Sequence, residues 1–273
     1  MSALIQQLKE TTGYILQHCN TVPLVGIVLG SGLGNFIDEM KVEKEIAYSD
    51  IPHFPVSTVE GHSGKLIFGE IRGKKVVAMA GRFHFYEGYT PQQVIYPIRV
   101  MKMLGVQSVL LSNAAGAVNN SFEVGDLMII KDHISFFVRN PLAGENESEL
   151  GPRFPDMSDP YSSLLIAKAK TIAERLQIPV HTGVYTAVTG PTFETRSEYK
   201  LIKVLGGDAV GMSTVQEVIG AIHCGLKVFA MSVITDIGIR EEDNIITHEE
   251  VLQAAKDAEP KLTAIFTNLI HEM

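Results

Sequence analysis

The sequence predicts a single α/β domain with a mixed central β-sheet flanked by helices on both faces. Three observations support this fold class: short apolar runs alternate with capped helical segments, two neighbouring runs are joined by a tight turn, and neither an internal repeat nor a linker interrupts the 273 residues. A chain of this length with 45% hydrophobic residues can close a large core. We therefore expect one domain over residues 1–273.

Seven apolar runs predict buried strands, because each is short, rich in β-branched residues and bounded by glycine or polar clusters. Two consecutive runs are separated only by a glycine-containing turn and predict an antiparallel hairpin, which makes the sheet mixed. The runs are Leu24–Leu29, Leu66–Ile71, Val76–Ala80, Ser108–Leu111, Leu127–Ile130, Val184–Val188 and Val228–Ile234, the second and third forming the hairpin.

Helix starts are predicted where a threonine stands three residues before Gln or Glu. This is the spacing of a capping box, in which two unpaired amide donors are satisfied reciprocally. Pro260 is expected to kink or split the last helix. The stretch 140–160 is rich in Pro, Gly, Asn and acidic residues and predicts a long functional or disordered loop. The capping threonines are Thr90, Thr195, Thr214 and Thr247.

Charge and cysteine content argue against several classes of function. The net charge of −8 disfavours a broad surface for nucleic acid, so phosphate has to bind in a small local pocket. Cys19 and Cys224 are far apart in sequence, which argues against a disulfide framework or a zinc site. No apolar run reaches the ~18 residues of a membrane span, and the N-terminal segment lacks the pattern of a signal peptide. We expect a soluble, cytoplasmic protein.

A glycine-rich turn follows the first predicted strand. Gly30, Gly32 and Gly34 let backbone amides approach an anion, and Ser31 adds a hydroxyl donor. A dinucleotide-binding turn, G-x-G-x-x-G, requires glycine where Asn35 stands, which disfavours that alternative. A tight turn without a ligand is the other alternative.

The segment Gly81–Tyr89 follows another predicted strand and carries Arg82 and His84. Arginine offers a planar fork that matches phosphate oxygens, and histidine can donate a further hydrogen bond or relay a proton. In extended backbone the two side chains point to one side and can reach one ligand. Taken alone, the pair also fits a solvated edge.

Two further segments can contact a ligand. Residues 112–117 have small side chains, which let a ligand lie against main-chain amides, although close helix packing explains them too. Phe193 can stack on a flat base, Glu194 can accept hydrogen bonds from its edge, and Ser213 can donate to an anion. A lone glutamate before a helix is also explained by N-terminal charge compensation.

Seven motifs occur in the order and approximate spacing of one known family: LGSGLG, EGHSGKLIFG, AGRFHFYEGY, LSNAAGAVN, GPTFET, DAVGMSTVQE and MSVITD. Over about residues 25–251 the chain resembles the trimeric purine nucleoside phosphorylases. The resemblance implies a nucleoside phosphorylase-like fold. It also implies reversible phosphorolysis of purine (deoxy)ribonucleosides to free base and (deoxy)ribose 1-phosphate.

The resemblance also implies roles for individual residues. The residues expected to hold phosphate are Ser31, His62, Arg82, His84, Ala114 through its amide, and Ser213. The residues expected to contact the nucleoside are Tyr86, Phe193, Glu194, Val210, Met212, Asp236 and His248. The residues expected to act in catalysis are His84, Glu194 and Asp236. No metal or nicotinamide is implied, because inorganic phosphate is the co-substrate, and a homotrimer is expected.

Asp236 departs from the family pattern, in which this position is usually an asparagine that donates to purine N7. An ionised aspartate cannot donate, so Asp236 either is protonated and acts as a general acid towards N7 or turns to a cation or a capping amide. An aspartate at this position resembles the pattern of the methylthioadenosine phosphorylases, which favour 6-aminopurines but generally lack the equivalent of Glu194. We expect inosine and guanosine as substrates, with methylthioadenosine or adenosine as the alternative.

Leu150 is the second departure. The family commonly places a phenylalanine of a neighbouring subunit over the sugar, and Leu150 aligns with it; leucine can exclude water but has no aromatic face. The alternative of another class is a non-catalytic nucleoside-binding module. Such a module does not require Arg82, His84 and Ser213 to converge on phosphate, so catalysis is favoured.

Overall fold

The computed structural model describes residues 2–57, 63–238 and 246–273, which contain nine strands and seven α-helices. The strands are β1 Val25–Val28, β2 Lys41–Ala47, β3 Lys65–Ile71, β4 Lys74–Ala80, β5 Ser108–Ala117, β6 Leu127–Ile134, β7 His181–Ala187, β8 Ala209–Gly211 and β9 Lys227–Ile237. The helices are α1 Ala3–His18, α2 Pro91–Val94, α3 Tyr96–Met103, α4 Ser163–Arg175, α5 Arg196–Val204, α6 Val215–His223 and α7 His248–His271.

One mixed sheet contains all of these strands, in the order β2-β3-β4-β1-β5-β8-β7-β6-β9. Strand β5 also pairs with β9, so β5, β8, β7, β6 and β9 close on themselves. Strands β4, β1, β5 and β9 run parallel, whereas β3 and β4 form the predicted antiparallel hairpin. Because parallel strands end at the same edge of a sheet, the segments at the carboxyl ends of β4, β1, β5 and β9 meet there.

Helices cover both faces of the sheet, as predicted. Helices α1, α3 and α6 contribute Leu8, Ile98 and Val218 to one buried apolar cluster. Helices α4 and α7 contribute Ile172 and Leu262 to a second cluster on the other face. Each sheet face is thus shielded from water by apolar side chains, which supplies the main driving force for folding.

Each of the seven apolar runs overlaps a strand, as predicted, but two strands of the structure were not predicted. Strand β2 is an exposed edge strand rich in Lys and Glu, and a search for apolar runs cannot find it. Strand β8 has only three residues. Strand β5 continues to Ala117, so the small residues after Leu111 belong to the strand rather than following it.

The predicted capping boxes at Thr90, Thr195 and Thr247 form. The box at Thr214 was wrong: this residue has a φ of 71° and makes no side-chain cap, and its expected partner Glu217 forms a buried ion pair instead. Pro260 does not split the last helix, because α7 runs unbroken through it, and the kink expected there stays a prediction.

The turn after β1 does not have the surroundings of a dinucleotide site. It leads into a 3-10 helix, Gly34–Glu39, and the edge strand β2, rather than into a long α-helix. A Cβ at Gly30 would lie 2.8 Å from the Asn113 Cα, so glycine is required where β1 ends against β5. Across the described ranges, no helix is long and apolar enough to span a bilayer.

Candidate active site

A cleft opens at the edge where β1, β4, β5 and β9 end. Ser31 follows β1, Arg82 follows β4, Ala114 lies in β5 and Asp236 lies near the end of β9. Every predicted site residue except His62 lines this cleft; His62 lies outside the described residues. The residues brought together are Ser31, Arg82, His84, Tyr86, Ala114, Phe193, Glu194, Val210, Met212, Ser213, Asp236 and His248.

Arg82 is the most deeply buried charge of the cleft and is 1% exposed. Its Nε and Nη2 donate to the two carboxylate oxygens of Glu217 at 3.1 and 2.9 Å, and its Nη1 donates to the carbonyl of Ser112 at 2.6 Å and more weakly to the Ser213 hydroxyl at 3.4 Å. The forked side of the Arg82 guanidinium, which the sequence predicts to bind phosphate, therefore faces Glu217. An anion in the cleft can meet Arg82 through the edge of the guanidinium near Ser213.

His84 is oriented by Glu87. The carboxylate of Glu87 accepts from the His84 main-chain amide at 2.8 Å and lies 2.9 Å from Nδ1, and the imidazole stacks on the Tyr86 ring. A carboxylate only accepts, so Nδ1 carries a proton in this pair. Burial lowers the pKa of His84, the Glu87 hydrogen bond opposes this shift, and the charge of Arg82 adds to it. A bound anion favours the protonated imidazole.

Hydroxyl groups surround the same end of the cleft. The Ser213 amide donates to the Tyr185 hydroxyl at 3.4 Å, and the Ser213 hydroxyl lies 3.1 Å from that of Thr214. Thr214 also accepts from the Asn113 amide group at 2.8 Å, which ties this turn to β5. Ser31 lines the same cleft, in the turn that follows β1.

The other end of the cleft carries two acidic side chains and an aromatic ring. Phe193 is 40% exposed, whereas Asp236 is 7% exposed. Asp236 accepts from the hydroxyls of Tyr199 at 3.4 Å and Thr235 at 3.1 Å. Burial raises the pKa of Glu194, and the charge of Asp236 adds to the shift. Asp236 lines the cleft, and the choice between a role towards N7 and a contact with a cation or a capping amide stays a prediction.

Several residues at the site were not predicted from the sequence. The spacing from Thr214 predicts that Glu217 is a capping residue, although an acid one turn into a helix also suits a buried arginine. Tyr185 and Tyr199 lie inside a strand and a helix without a motif around them. Glu87 belongs to the segment that carries Arg82 and His84, so its spacing from His84 was an available signal. Among the described residues, no group of three or more His, Cys, Asp or Glu is placed to hold a metal.

Comparison with known proteins first defines a class: the model of the phosphorylase superfamily matches residues 24–271. The chain is 48% identical to purine nucleoside phosphorylase 1 of Bacillus subtilis, over 97% of this chain and 96% of that protein. It is 46% identical to the purine nucleoside phosphorylase of Bos taurus, over 94% and 91%. The crystal structure of the Schistosoma mansoni purine nucleoside phosphorylase with inosine is 41% identical, with a TM-score of 0.95 over 100% of this chain and 98% of that one. The chain therefore belongs to the purine nucleoside phosphorylase family.

Proposed function

We propose that this enzyme cleaves the N-glycosidic bond of purine (deoxy)ribonucleosides with inorganic phosphate, reversibly releasing the base and (deoxy)ribose 1-phosphate. One observation carries the proposal: a single cleft is lined by the hydroxyl, guanidinium and imidazole groups of Ser31, Arg82 and His84 and also by the aromatic ring of Phe193 and the carboxyl groups of Glu194 and Asp236. The family relationship supports it, as do the Schistosoma mansoni enzyme solved with inosine and the isoform 2 enzyme of that organism solved with cytosine and ribose-1-phosphate.

At the phosphate end, hydroxyl, guanidinium and imidazole groups provide converging donors. The bound phosphate would be the nucleophile at C1′, and its negative charge would stabilise the positive charge that develops on the sugar. The proposed phosphate ligands are Ser31, Arg82, His84, the Ala114 amide and Ser213, with His62 added by the resemblance. Positioning of this kind can lower the barrier by roughly 7–11 kcal/mol when the alignment is good.

At the base end, the leaving purine gathers negative charge and needs hydrogen bonds that strengthen in the transition state. Phe193 and Val210 would border the ring, Glu194 would accept from N1–H, and a protonated Asp236 would donate to N7. Tyr86, Met212 and His248 would line the ribose between the two ends. These roles favour inosine and guanosine; the carboxyl group of Asp236 supports adenosine or methylthioadenosine as the second candidate.

The reaction as proposed needs neither a metal nor a nicotinamide, since phosphate is the co-substrate and no electrons are transferred. We also propose a homotrimer. Leu150 lies half-buried on the long loop 140–160, and the loop residue Phe154 and nearby Phe136 are 86% and 87% exposed. Exposed aromatic side chains of this kind are typical of surfaces that pack against another chain. Two buried, unpaired cysteines support a reducing, cytoplasmic location.

The test is the release of free base from inosine, guanosine, adenosine and methylthioadenosine, each measured with and without phosphate. We expect phosphate-dependent release from inosine and guanosine. Glu194→Ala should mainly raise KM for the nucleoside, whereas Glu174→Ala on the exposed surface of α4 serves as the control and should change nothing. Binding of nucleoside without turnover would instead support the non-catalytic binding module.

A further inference from the structure

Tyr199 lies between the two carboxyl groups of the base end. Its side chain projects from α5, is 3% exposed and lines the cleft. Its hydroxyl donates to Oδ2 of Asp236 at 3.4 Å, and the same hydroxyl interacts by a hydrogen bond with the carboxyl group of Glu194. One phenol thus connects the two acids proposed to bind the purine.

The surrounding backbone is shaped to hold this arrangement. A Cβ at Gly116 would lie 2.7 Å from Oδ2 of Asp236 and 3.0 Å from the Tyr199 hydroxyl. A Cβ at Gly238 would overlap the Tyr199 ring. Any larger residue at either position would displace the phenol or the carboxylate, so both glycines leave the space that the tyrosine fills.

The Tyr199 hydroxyl cannot satisfy two ionised carboxyl groups at once. A phenol has one O–H and can donate to one carboxylate at a time. Two like charges close together in a buried site disfavour full ionisation, so one shared proton lowers the energy. Burial raises the pKa of Glu194, and the charge of Asp236 and of nearby Glu198 raises it further. Other polar groups among the described residues here include the Thr235 hydroxyl on Asp236, the Tyr185 phenol near Glu194, and His248 on the cleft wall.

Building on the proposed function, we propose that Glu194, Tyr199 and Asp236 form a proton relay that lets one base site accept both 6-oxopurines and 6-aminopurines. In the first state Asp236 carries the proton and donates to N7 or O6, while ionised Glu194 accepts from N1–H. In the second state protonated Glu194 donates to the bare N1 of a 6-aminopurine, and ionised Asp236 accepts from the 6-amino group.

The two states interconvert without a net change in charge. The proton of Asp236 passes to the Tyr199 oxygen as the Tyr199 hydroxyl proton passes to Glu194. One O–H bond breaks on Asp236 and one on Tyr199, and one forms on Tyr199 and one on Glu194. The site therefore changes its donor and acceptor pattern without exchanging a proton with solvent. Tyr199 is a positioning and relay residue, since the base meets the two carboxyl groups.

Tyr199→Phe tests the relay, because it keeps the ring and removes only the hydroxyl. Tyr96→Phe is the matched control: its buried hydroxyl is 2.6 Å from that of Thr11, away from the cleft. The wild type should cleave inosine and adenosine. In Tyr199→Phe both carboxyl groups lose the hydroxyl that couples them, so the ratio of kcat/KM for adenosine to that for inosine should shift about tenfold or more. The control should leave the ratio unchanged.

A purely structural role of Tyr199 would lower both activities and leave their ratio unchanged, which would overturn the proposal. Wild-type enzyme that cleaves inosine but not adenosine would also overturn it. If neither nucleoside is cleaved, the proposed function fails, and base binding still tests the relay.

Calorimetric titration of hypoxanthine and adenine in buffers of different ionisation enthalpy provides that test. Both bases should bind the wild type without net proton exchange, because the pair of carboxyl groups holds one proton in either state. Uptake of a proton by the wild type on binding adenine alone would refute an internal relay.

Discussion

Replacing Glu217 by glutamine removes the counter-charge of Arg82 with little change in the shape of the side chain. Both groups are nearly inaccessible to solvent, at 1% and 3%, and two hydrogen bonds of 3.1 and 2.9 Å join them. Removing one partner of such a pair leaves an uncompensated buried charge, which costs about 3–5 kcal/mol. Glu217→Gln should therefore lower the midpoint of thermal unfolding by roughly 6–20 °C in phosphate-free buffer.

Phosphate distinguishes this charge effect from a packing defect. An anion that binds near Arg82 supplies the missing counter-charge, so phosphate should stabilise Glu217→Gln more than it stabilises the wild type. The matched control is Glu45→Gln, whose partner Lys65 lies 2.8 Å away in an exposed pair. It should cost less than about 1 kcal/mol. A loss of stability in Glu217→Gln no larger than in the control, in urea and thermal unfolding, would refute the reasoning.

Three further predictions concern the anion site, the base end and the pH dependence of stability. Arg82→Ala is made in the Glu217→Gln background so that no unpaired carboxylate is left. It should raise the KM for phosphate about tenfold or more relative to that background, because a charge-assisted hydrogen bond is lost. An unchanged KM for phosphate in steady-state assays would contradict the assignment of Arg82 to the phosphate site. Gly116→Ala should reduce activity with inosine, because the new methyl group meets Asp236, and normal kinetics in a folded variant would show that the space is not needed. Among the described residues, burial lowers the folded-state pKa of three histidines, so the unfolded chain binds more protons and stability falls as pH drops below about 6.5. These histidines are His84, His133 and His223. His133 lies away from the cleft, and His133→Asn should make the free energy of unfolding, measured in urea, fall less steeply with decreasing pH. The same pH dependence in the variant and the wild type would contradict this prediction.

Much of the cleft could be predicted from sequence because its residues sit at recognisable local features. Ser31 follows a glycine turn at the end of a strand, and Arg82 follows another strand. Parallel pairing brings such strand ends together, so local patterns are enough to predict a common site. Edge strand β2 could not be predicted in this way. A search for apolar runs finds only buried strands, and most residues of β2 are exposed and charged.

The partners of these residues could not be predicted in the same way. Glu217 fitted a capping box at Thr214 in sequence, but a buried guanidinium without a counter-charge is far more costly than an uncapped helix end, so tertiary packing assigned Glu217 to Arg82. Tyr199 carried no signal, because nothing local indicates that a phenol on α5 will meet an acid on β9.

The sequence by itself determined the fold class, the four parallel strands β1, β4, β5 and β9 at the site, and the residues expected to contact phosphate and purine, because these depend on patterns within short segments and on motifs shared with a family. Only the tertiary structure decided which charges pair inside the cleft: Arg82 with Glu217, His84 with Glu87, and Tyr199 with the two acids at the base end. The physical reason is that desolvation energies and hydrogen-bond geometry depend on what surrounds each group in space, and distant parts of the chain supply much of those surroundings.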